Sequence, residues 1–312
     1  MEHILLIANA SAGTHEQEAL QAALSVLQEL SDVRIESTKD AEDLDRVLRE
    51  NDKSSVVVAG GDGSLHAVVN ALAHQQRLDS TPLGLIPLGT GNDFARGVGI
   101  PLDPEEAARL IASGRTTPTD LIVDDTGLVV TNNAHLGVGA EASRAAQKWK
   151  PRLGRIGYAL GALSAGYDPQ FVRVTVTVDG REVVRRRRVA QVAIGNGSNV
   201  GGGTELIPGA DPSDGELVVI VSRARGILRR FSYVARLRRG KHHLMKEVDR
   251  TTGSHVVVEG DPFYVITDGE ISDEPTTRRT WDLKVGALEM YLPPKSDVAG
   301  DDAGATAADA DD

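Results

Sequence analysis

"VVVAGGDGSLHAVVNAL", Val56 to Leu72, is the stretch on which the fold of this chain turns. Three valines and an alanine make a short apolar run without alternation, the pattern of a strand buried on both faces. Gly60-Gly61-Asp62-Gly63 interrupts it, and from Ser64 the apolar residues recur with helical spacing. Glycines in such a turn let the backbone approach an anion, and the helix aims its unpaired N–H groups at the same spot. A carboxylate beside a polyphosphate makes sense only with a cation between them, so Asp62 points to a metal-nucleotide site. Taken alone, the turn also fits a tight connection in which Asp62 caps a helix.

Working outward, the first third of the chain alternates strand and helix patterns. "HILLIAN" is followed by a helix from about His15 to Leu30, "DVRIES" by one from about Ala41 to Asn51, and the helix from Ser64 by "PLGLIPLG". Short apolar runs separated by amphipathic segments predict a parallel sheet with crossover helices. Ligands on such sheets bind beyond the carboxyl ends of the strands. Those ends carry "NASAG", "STKD", "GGDGS" and "PLGTGND". In the last of these Thr90 offers a hydroxyl, Gly89 and Gly91 allow close approach, and Asn92-Asp93 brings a second carboxylate to the start of another helix. Two neighbouring loops, each with an acid among glycines, are hard to explain without a bound cation and phosphate.

After about Asp120 the texture changes. "DLIVDDTGLVVTNNAHLG" reads as a hairpin, Ala140 to Tyr167 as helical, and "QFVRVTVTVDGREVVRRRRVAQVAIGNG" as two long strands around an Asp-Gly turn. Further strand patterns follow at "GELVVIVS", "SHVVVEG", "FYVITDG", "RTWDLKVG" and "LEMYLP". The expected organisation is an α/β domain over 1–124 and a mostly antiparallel β-sandwich domain over 125–294. Its last strand is free to return to the first domain, and a disordered acidic tail occupies 295–312.

The chain has 312 residues, no cysteine and a formal charge of −11. Absence of cysteine excludes disulfides, thiolate zinc sites and cysteine nucleophiles. No window reaches the roughly 18 apolar residues of a membrane span, and the first residues lack the basic region of a signal peptide, so a cytoplasmic protein is expected. The negative charge is uneven. Six aspartates lie in Ser296 to Asp312, whereas "RRRR" at Arg185 to Arg188 and nine Arg or Lys between Arg223 and Lys246 form basic clusters. Arg223 to Lys246 reads either as a solvated helix face or as a surface drawn to anionic lipid, where each basic side chain gains about 1 kcal/mol. Peripheral attachment to the inner face of the membrane is therefore one expectation. No nucleic-acid partner is expected, and a homodimer is left open.

"GGDGS" with "VVNAL" and "PLGTGNDFAR" together resemble the catalytic signature of the diacylglycerol kinase family of lipid kinases, especially its soluble bacterial members. Sphingosine and ceramide kinases are more distant relatives, and NAD kinases share the nucleotide half. The resemblance implies an ATP- and Mg²⁺-dependent kinase acting on a lipid hydroxyl at a membrane surface, with ATP bound by the catalytic domain 1–124 and the lipid by the β-sandwich 125–294. It implies nucleotide contacts from Asn9, Ser11 and Gly13 in "NASAG", Thr38 in "STKDAEDL", Gly60, Gly61, Asp62, Gly63, Ser64, Gly89, Thr90 and Asn92. It implies that Glu270 in "DGEISDEP" is the base, with Asp268 beside it and Asp62 and Asp93 across the γ-phosphate, the two last also as metal ligands. Asp211, Asp214 and Glu216 in "ADPSDGEL" are similar to a structural Mg²⁺ site, though an ordinary turn fits them equally well.

Some positions depart from the family pattern. "NASAG" has Ala10 and no proline, Ser64 replaces a usual threonine, Ala67 a common glutamate and His66 a frequent asparagine. An NAD kinase-like enzyme is one alternative, opposed by "GTGNDFAR". A catalytically silent lipid- or nucleotide-binding regulator is another, opposed by the joint presence of Asp62, Asp93, Asp268 and Glu270. The histidines show no zinc spacing, and isolated ones such as His66 and His135 read as surface or packed residues.

Overall fold

The computed structural model describes residues 3–9, 14–29, 31–52, 54–137, 171–224, 227–237 and 239–294. Its first part alternates β1 (His3–Asn9), α1 (Thr14–Gln28), β2 (Asp32–Thr38), α2 (Ala41–Glu50), β3 (Ser55–Gly60), α3 (Asp62–His74), β4 (Leu83–Pro87), α4 (Asp93–Val98) and α5 (Pro104–Ala112). Strand β1 lies between β2 and β3, β4 follows β3, and all three pairings are parallel. Every residue of β3 is buried, as its unbroken apolar run requires. Because side chains alternate across a strand, Val57 joins the core formed with Leu24, Leu27 and Ile111 of α1 and α5 on one face, while Val56 and Val58 join that formed with Leu48, Leu65 and Val69 of α2 and α3 on the other. Each such side chain removed from water contributes about 1.5–3 kcal/mol.

Local signals mark the helix starts. Asp40 caps α2 by accepting from the Asp43 N–H, and Asp103 caps α5 by accepting from Glu105 and Glu106, with Pro104 at the first helical position. One start differs from the sequence expectation. Helix α3 begins at Asp62, two residues before Ser64, so Asp62 lies in the first helical turn and not in the loop.

The second part contains β5 (Thr117–Asp124), β6 (Val129–Val130), β7 (Asn133–Gly137), β8 (Val172–Val178), β9 (Arg181–Val189), β10 (Gln191–Gly195), β11 (Asn199–Val200), β12 (Thr204–Glu205) and β13 (Leu217–Ser222). Helix α6 (Ile227–Leu237) and a 3-10 turn at His242–Leu244 precede β14 (Val248–Gly253), β15 (His255–Phe263), β16 (Val265–Thr267), β17 (Glu270–Ile271) and β18 (Thr276–Met290). Strand β18 pairs antiparallel with β5 and β15, and its Met290 pairs parallel with Leu83 of β4. One sheet, ordered β2-β1-β3-β4-β18-β15-β8-β9, thereby runs through both parts. A second sheet, β14-β13-β10-β7-β16-β17, packs against its far end around Val174, Val176, Val192, Val219, Val256 and Trp281. The architecture is the expected parallel α/β domain with an antiparallel sandwich.

The segment read as two long strands is three. Val189 ends β9 in the first sheet and Gln191 begins β10 in the second, with only Ala190 between them. Among the described residues of the basic stretch from Arg223, the α-helix covers the 11 residues of α6; Gly240 then adopts φ 63° and the chain turns before the short 3-10 segment at His242–Leu244. The helix expected over 140–167 and the tail 295–312 lie outside the described residues. Among the described residues no helix is long and apolar enough to cross a membrane.

Candidate active site

The carboxyl ends of β2, β1, β3 and β4 lie side by side: Thr38 pairs with Asn9, Ala8 with Ala59, and Gly60 with Pro87. Ser11 and Gly13 lie outside the described residues, as does the side chain of Asn9. Glycines at these ends are required for different reasons. A Cβ on Gly60 would collide with the Ser64 side chain. On Gly89 it would meet the Gly61 backbone at 2.5 Å, and on Gly61 it would sit 3.0 Å from Gly89. The two loops therefore touch backbone to backbone.

Gly63 is another case. It is exposed, its Cβ would meet nothing within 4 Å, and its φ is not left-handed. Neither packing nor backbone conformation explains a glycine in the first turn of α3, where it costs about 1 kcal/mol against alanine. No side-chain cap covers that helix end. The open first turn and the space above Gly63 fit a polyphosphate held by backbone N–H groups.

Asp62 and Asp93 converge on Gly91, whose Cβ would lie 3.1 Å from one Asp62 oxygen and 3.3 Å from one Asp93 oxygen. The Asp62 carboxylate accepts the N–H groups of Asp93 (3.0 Å) and Phe94 (2.9 Å). These are the first N–H groups of α4, whose own N-cap, Asn92, makes no capping bond. Asn92 is left-handed (φ 52°) and turns its amide back to donate to the Gly89 carbonyl. Asp62 thus caps a helix, but the one that follows in the next loop. Asp93 in turn accepts from Gly202 (2.9 Å) and Gly203 (2.8 Å), delivered by the β11–β12 turn of the second domain. Gly201, Gly202 and Gly203 all have positive φ, which only glycine adopts three times running at little cost. Burial pushes the Asp62 carboxyl above the ordinary carboxylate range; the two backbone bonds oppose this and the Asp93 charge adds to it. Two carboxylates held together against their repulsion, at an open helix N-terminus, suit a divalent cation. Thr90 is exposed beside them, and Ser64 packs on Gly60.

One turn along α3 from Asp62 stands His66. Its Nδ1 lies 2.8 Å from Asp268 Oδ2, an ion pair that joins α3 to the β16–β17 hairpin, 202 positions away. Asp268 and Gly269 have φ 47° and 89°, and Thr267 pairs with Glu270, so "DG" forms a two-residue hairpin turn of the kind its sequence predicts. The Asp268 side chain, 1% exposed, also accepts from the Thr131 N–H and hydroxyl and from the N–H groups of Asn132 and Asn133. With His66 these bonds engage both of its carboxylate oxygens. Glu270, two residues on, is exposed, and no described residue donates a hydrogen bond to its carboxylate. The charges of both acids act on His66. Burial pulls its pKa down, but the Asp268 hydrogen bond and the charges of Asp268 and Glu270 outweigh this and raise it above 6.5.

The 211–216 loop is less organised. Asp211 accepts from the N–H and hydroxyl of Ser213, and Asp214 from the Glu216 N–H, both local turn contacts. Among the described residues no group of three acidic or histidine side chains is arranged to hold a metal. The loop is anchored by Asp120, which accepts from Gly215 and from Gly286 of β18. Burial, with the nearby Asp211, Glu216 and Asp120, raises the Asp214 carboxyl, with the Glu216 bond opposing.

The sequence reading missed His66, Gly202 and Gly203, and the Thr131–Asn133 segment. For His66 the available signal was its i+4 spacing from Asp62, which puts both on one helix face.

A strand-turn-helix unit with an open helix start and two close acids, tied through His66 to an acid-bearing hairpin of the second sheet, defines a two-part protein of the NAD kinase-like fold, a parallel α/β sheet followed by an antiparallel sandwich. Residues 3–123 match the model of the diacylglycerol kinase catalytic domain, and residues 132–290 that of the YegS C-terminal NAD kinase beta sandwich-like domain. The chain belongs to the diacylglycerol kinase family, in its YegS-like branch. A "Probable lipid kinase YegS-like" of Klebsiella pneumoniae (strain 342) is 33% identical over 68% of this chain and 71% of its own length. One of the same description from Stenotrophomonas maltophilia (strain K279a) is 37% identical over 53% of this chain, which spans just over half of that relative, 55%. The crystal structure of a diacylglycerol kinase from Bacillus anthracis str. Sterne superposes with a TM-score of 0.76 at 28% identity, over 94% of this chain and 98% of that one. An NAD kinase from Archaeoglobus fulgidus in complex with ATP (TM-score 0.51, 15% identity, 93% of each chain) shares the fold alone.

Proposed function

We propose that this protein is an ATP- and Mg²⁺-dependent lipid kinase that phosphorylates the hydroxyl of a lipid such as diacylglycerol. The observation that carries this reading is the meeting of Asp62 and Asp93 at the open end of α3, one helical turn from the hairpin that bears the unengaged Glu270. Backbone N–H groups at the start of α3 hold phosphate oxygens, with Gly63 leaving the room. Asn9, Ser11, Gly13, Thr38 and the 89–92 loop contact the rest of the nucleotide. Asp62 and Asp93 hold Mg²⁺, which when bound neutralises charge on the phosphates. Glu270 takes the proton of the lipid hydroxyl as its oxygen attacks the γ-phosphorus and ADP leaves. At the 211–216 loop Asp211, Asp214 and Glu216, whose side chains do not converge as a trio, would supply only part of a second, structural Mg²⁺ site, with backbone oxygens as the other ligands.

The acceptor is reached at an anionic membrane surface. Leu244 is 65% exposed and flanked by exposed Lys241 and Lys246, with Arg239 nearby, a collar of positive charge around an apolar tip. Vesicle co-sedimentation at low and high salt tests this: preferential, salt-sensitive binding to anionic vesicles is expected, and equal binding to neutral ones counts against it. The activity itself is tested by incubation with labelled ATP and diacylglycerol, ceramide, monoacylglycerol, phosphatidylglycerol and NAD in parallel. Label in a lipid is expected; label in NAD alone would favour an NAD kinase-like enzyme and overturn the reading.

A further inference from the structure

His66 belongs to neither the phosphate cradle nor the expected set of acids, yet it sits between them. It is buried, on the face of α3 that carries Asp62 one turn earlier and Asn70 one turn later. Asn70 clamps the backbone of Val129 from both sides: its Nδ2 donates to the Val129 carbonyl and its Oδ1 accepts the Val129 N–H, both at 2.9 Å. The residues that follow, Thr131 to Asn133, donate four bonds to Asp268. The hairpin bearing Glu270 is thus tied to α3 by two routes, a neutral one through Asn70 and the 129–133 backbone, and a direct one through the His66–Asp268 pair.

The direct route alone can change charge. Asp268 already accepts four bonds from Thr131, Asn132 and Asn133, so the imidazole adds the one donor whose strength depends on protonation. An imidazolium next to two acids makes a charge-assisted bond; a neutral ring makes a weaker one. The charges that act on His66 are those of Asp268 and Glu270 on the hairpin side; on α3 the Asp62 carboxylate lies one turn away on the same face and the neutral Asn70 amide 3.4 Å from the ring, and the 129–133 segment contributes no titratable group.

We propose that His66 is a positioning residue for Glu270: held by Asp268, it locks the β16–β17 turn against α3, and the lock loosens when the imidazole loses its proton. This deepens the kinase reading and rests on it for the role of Glu270. The physical link is testable without turnover. Its raised pKa means that the stabilisation from His66 is complete below about pH 6.5 and is lost as pH rises through the folded-state value.

The test uses the full chain with ¹⁵N-labelled histidine, and the variants His66→Asn, His66→Leu and Asp268→Asn. By NMR the His66 ring, assigned by its absence from His66→Asn, is expected to keep its proton to higher pH than free histidine and to lose that shift in Asp268→Asn. Titration identical in the wild type and Asp268→Asn would overturn the link, whether or not the protein phosphorylates lipid. In lipid phosphorylation, His66→Leu is expected to lower kcat by up to about a hundredfold, the scale of a small misplacement of a reacting group, with KM for ATP little changed. His66→Asn, which keeps one donor, is expected to recover most of kcat and to lack the alkaline fall expected of the wild type. Wild-type kcat in His66→Leu, or a pH profile of His66→Asn matching the wild type, would overturn the positioning role. A wild type that labels no lipid overturns the kinase reading and leaves the NMR result to judge the link.

Discussion

Two acid-bearing regions lie one turn apart along α3 and use their carboxylates in opposite ways. At the strand ends Asp62 and Asp93 are alike: each accepts two backbone N–H groups from another loop, and each stays close to the other. At the β16–β17 hairpin the two acids are unlike. Asp268 collects five bonds and is buried, whereas two residues later Glu270 collects none and is exposed. A carboxylate surrounded by fixed donors maintains geometry, one without donors is free to accept a proton, and a close pair of buried ones calls for a cation. The donors around an acid, more than its residue type, assign its work.

The sharpest way to break that contrast is to neutralise each hairpin acid separately. Glu270→Gln is expected to lower kcat by about 10²–10⁴-fold, the usual contribution of a general base, with an unchanged Tm because the side chain is exposed and unbonded. Near-normal turnover would remove Glu270 from the mechanism. Asp268→Asn should do the reverse in emphasis. It replaces one carboxylate oxygen by an NH₂, which cannot accept from the N–H groups on that side, and is expected to cost about 3 kcal/mol of stability in urea unfolding. A wild-type midpoint would mean that the five bonds carry little.

At the strand ends, Gly63→Ala separates helix propensity from ligand room. Stability should be unchanged or rise by as much as about 1 kcal/mol, while nucleotide affinity by calorimetry falls by about tenfold, the equivalent of one lost contact. Unchanged affinity would show that the space above Gly63 is not used. The smallest effect is expected at the 211–216 loop. Its crowded acids should make Mg²⁺ raise Tm by roughly one or two degrees in the wild type and by less in Asp214→Asn. Equal shifts in both would leave the loop as a turn held by its own N–H groups.

Much of this architecture was legible from local pattern. The buried run Val56–Ala59, the glycine turn and the following helix announce a parallel strand-turn-helix unit, and Asp268-Gly269 announces a tight hairpin. The Asp40 and Asp103 caps likewise follow from neighbours within three residues. Other features could not be read this way. The three-strand path of 171–195 depends on which sheet offers an edge after Ala190, and Gly61 and Gly89 look like ligand glycines until their backbones are seen to touch.

By itself, then, the sequence determined the two-part fold, the glycine turns at the strand ends and the family, because each rests on spacing within a short window. Tertiary structure alone decided which donors surround each acid. The donors to Asp93 come from 109 positions away and the partner of Asp268 from 202, and no local pattern encodes which distant N–H or imidazole will reach a carboxylate. Burial and hydrogen bonding, the terms that set an acid's charge and freedom, exist only once those segments have met.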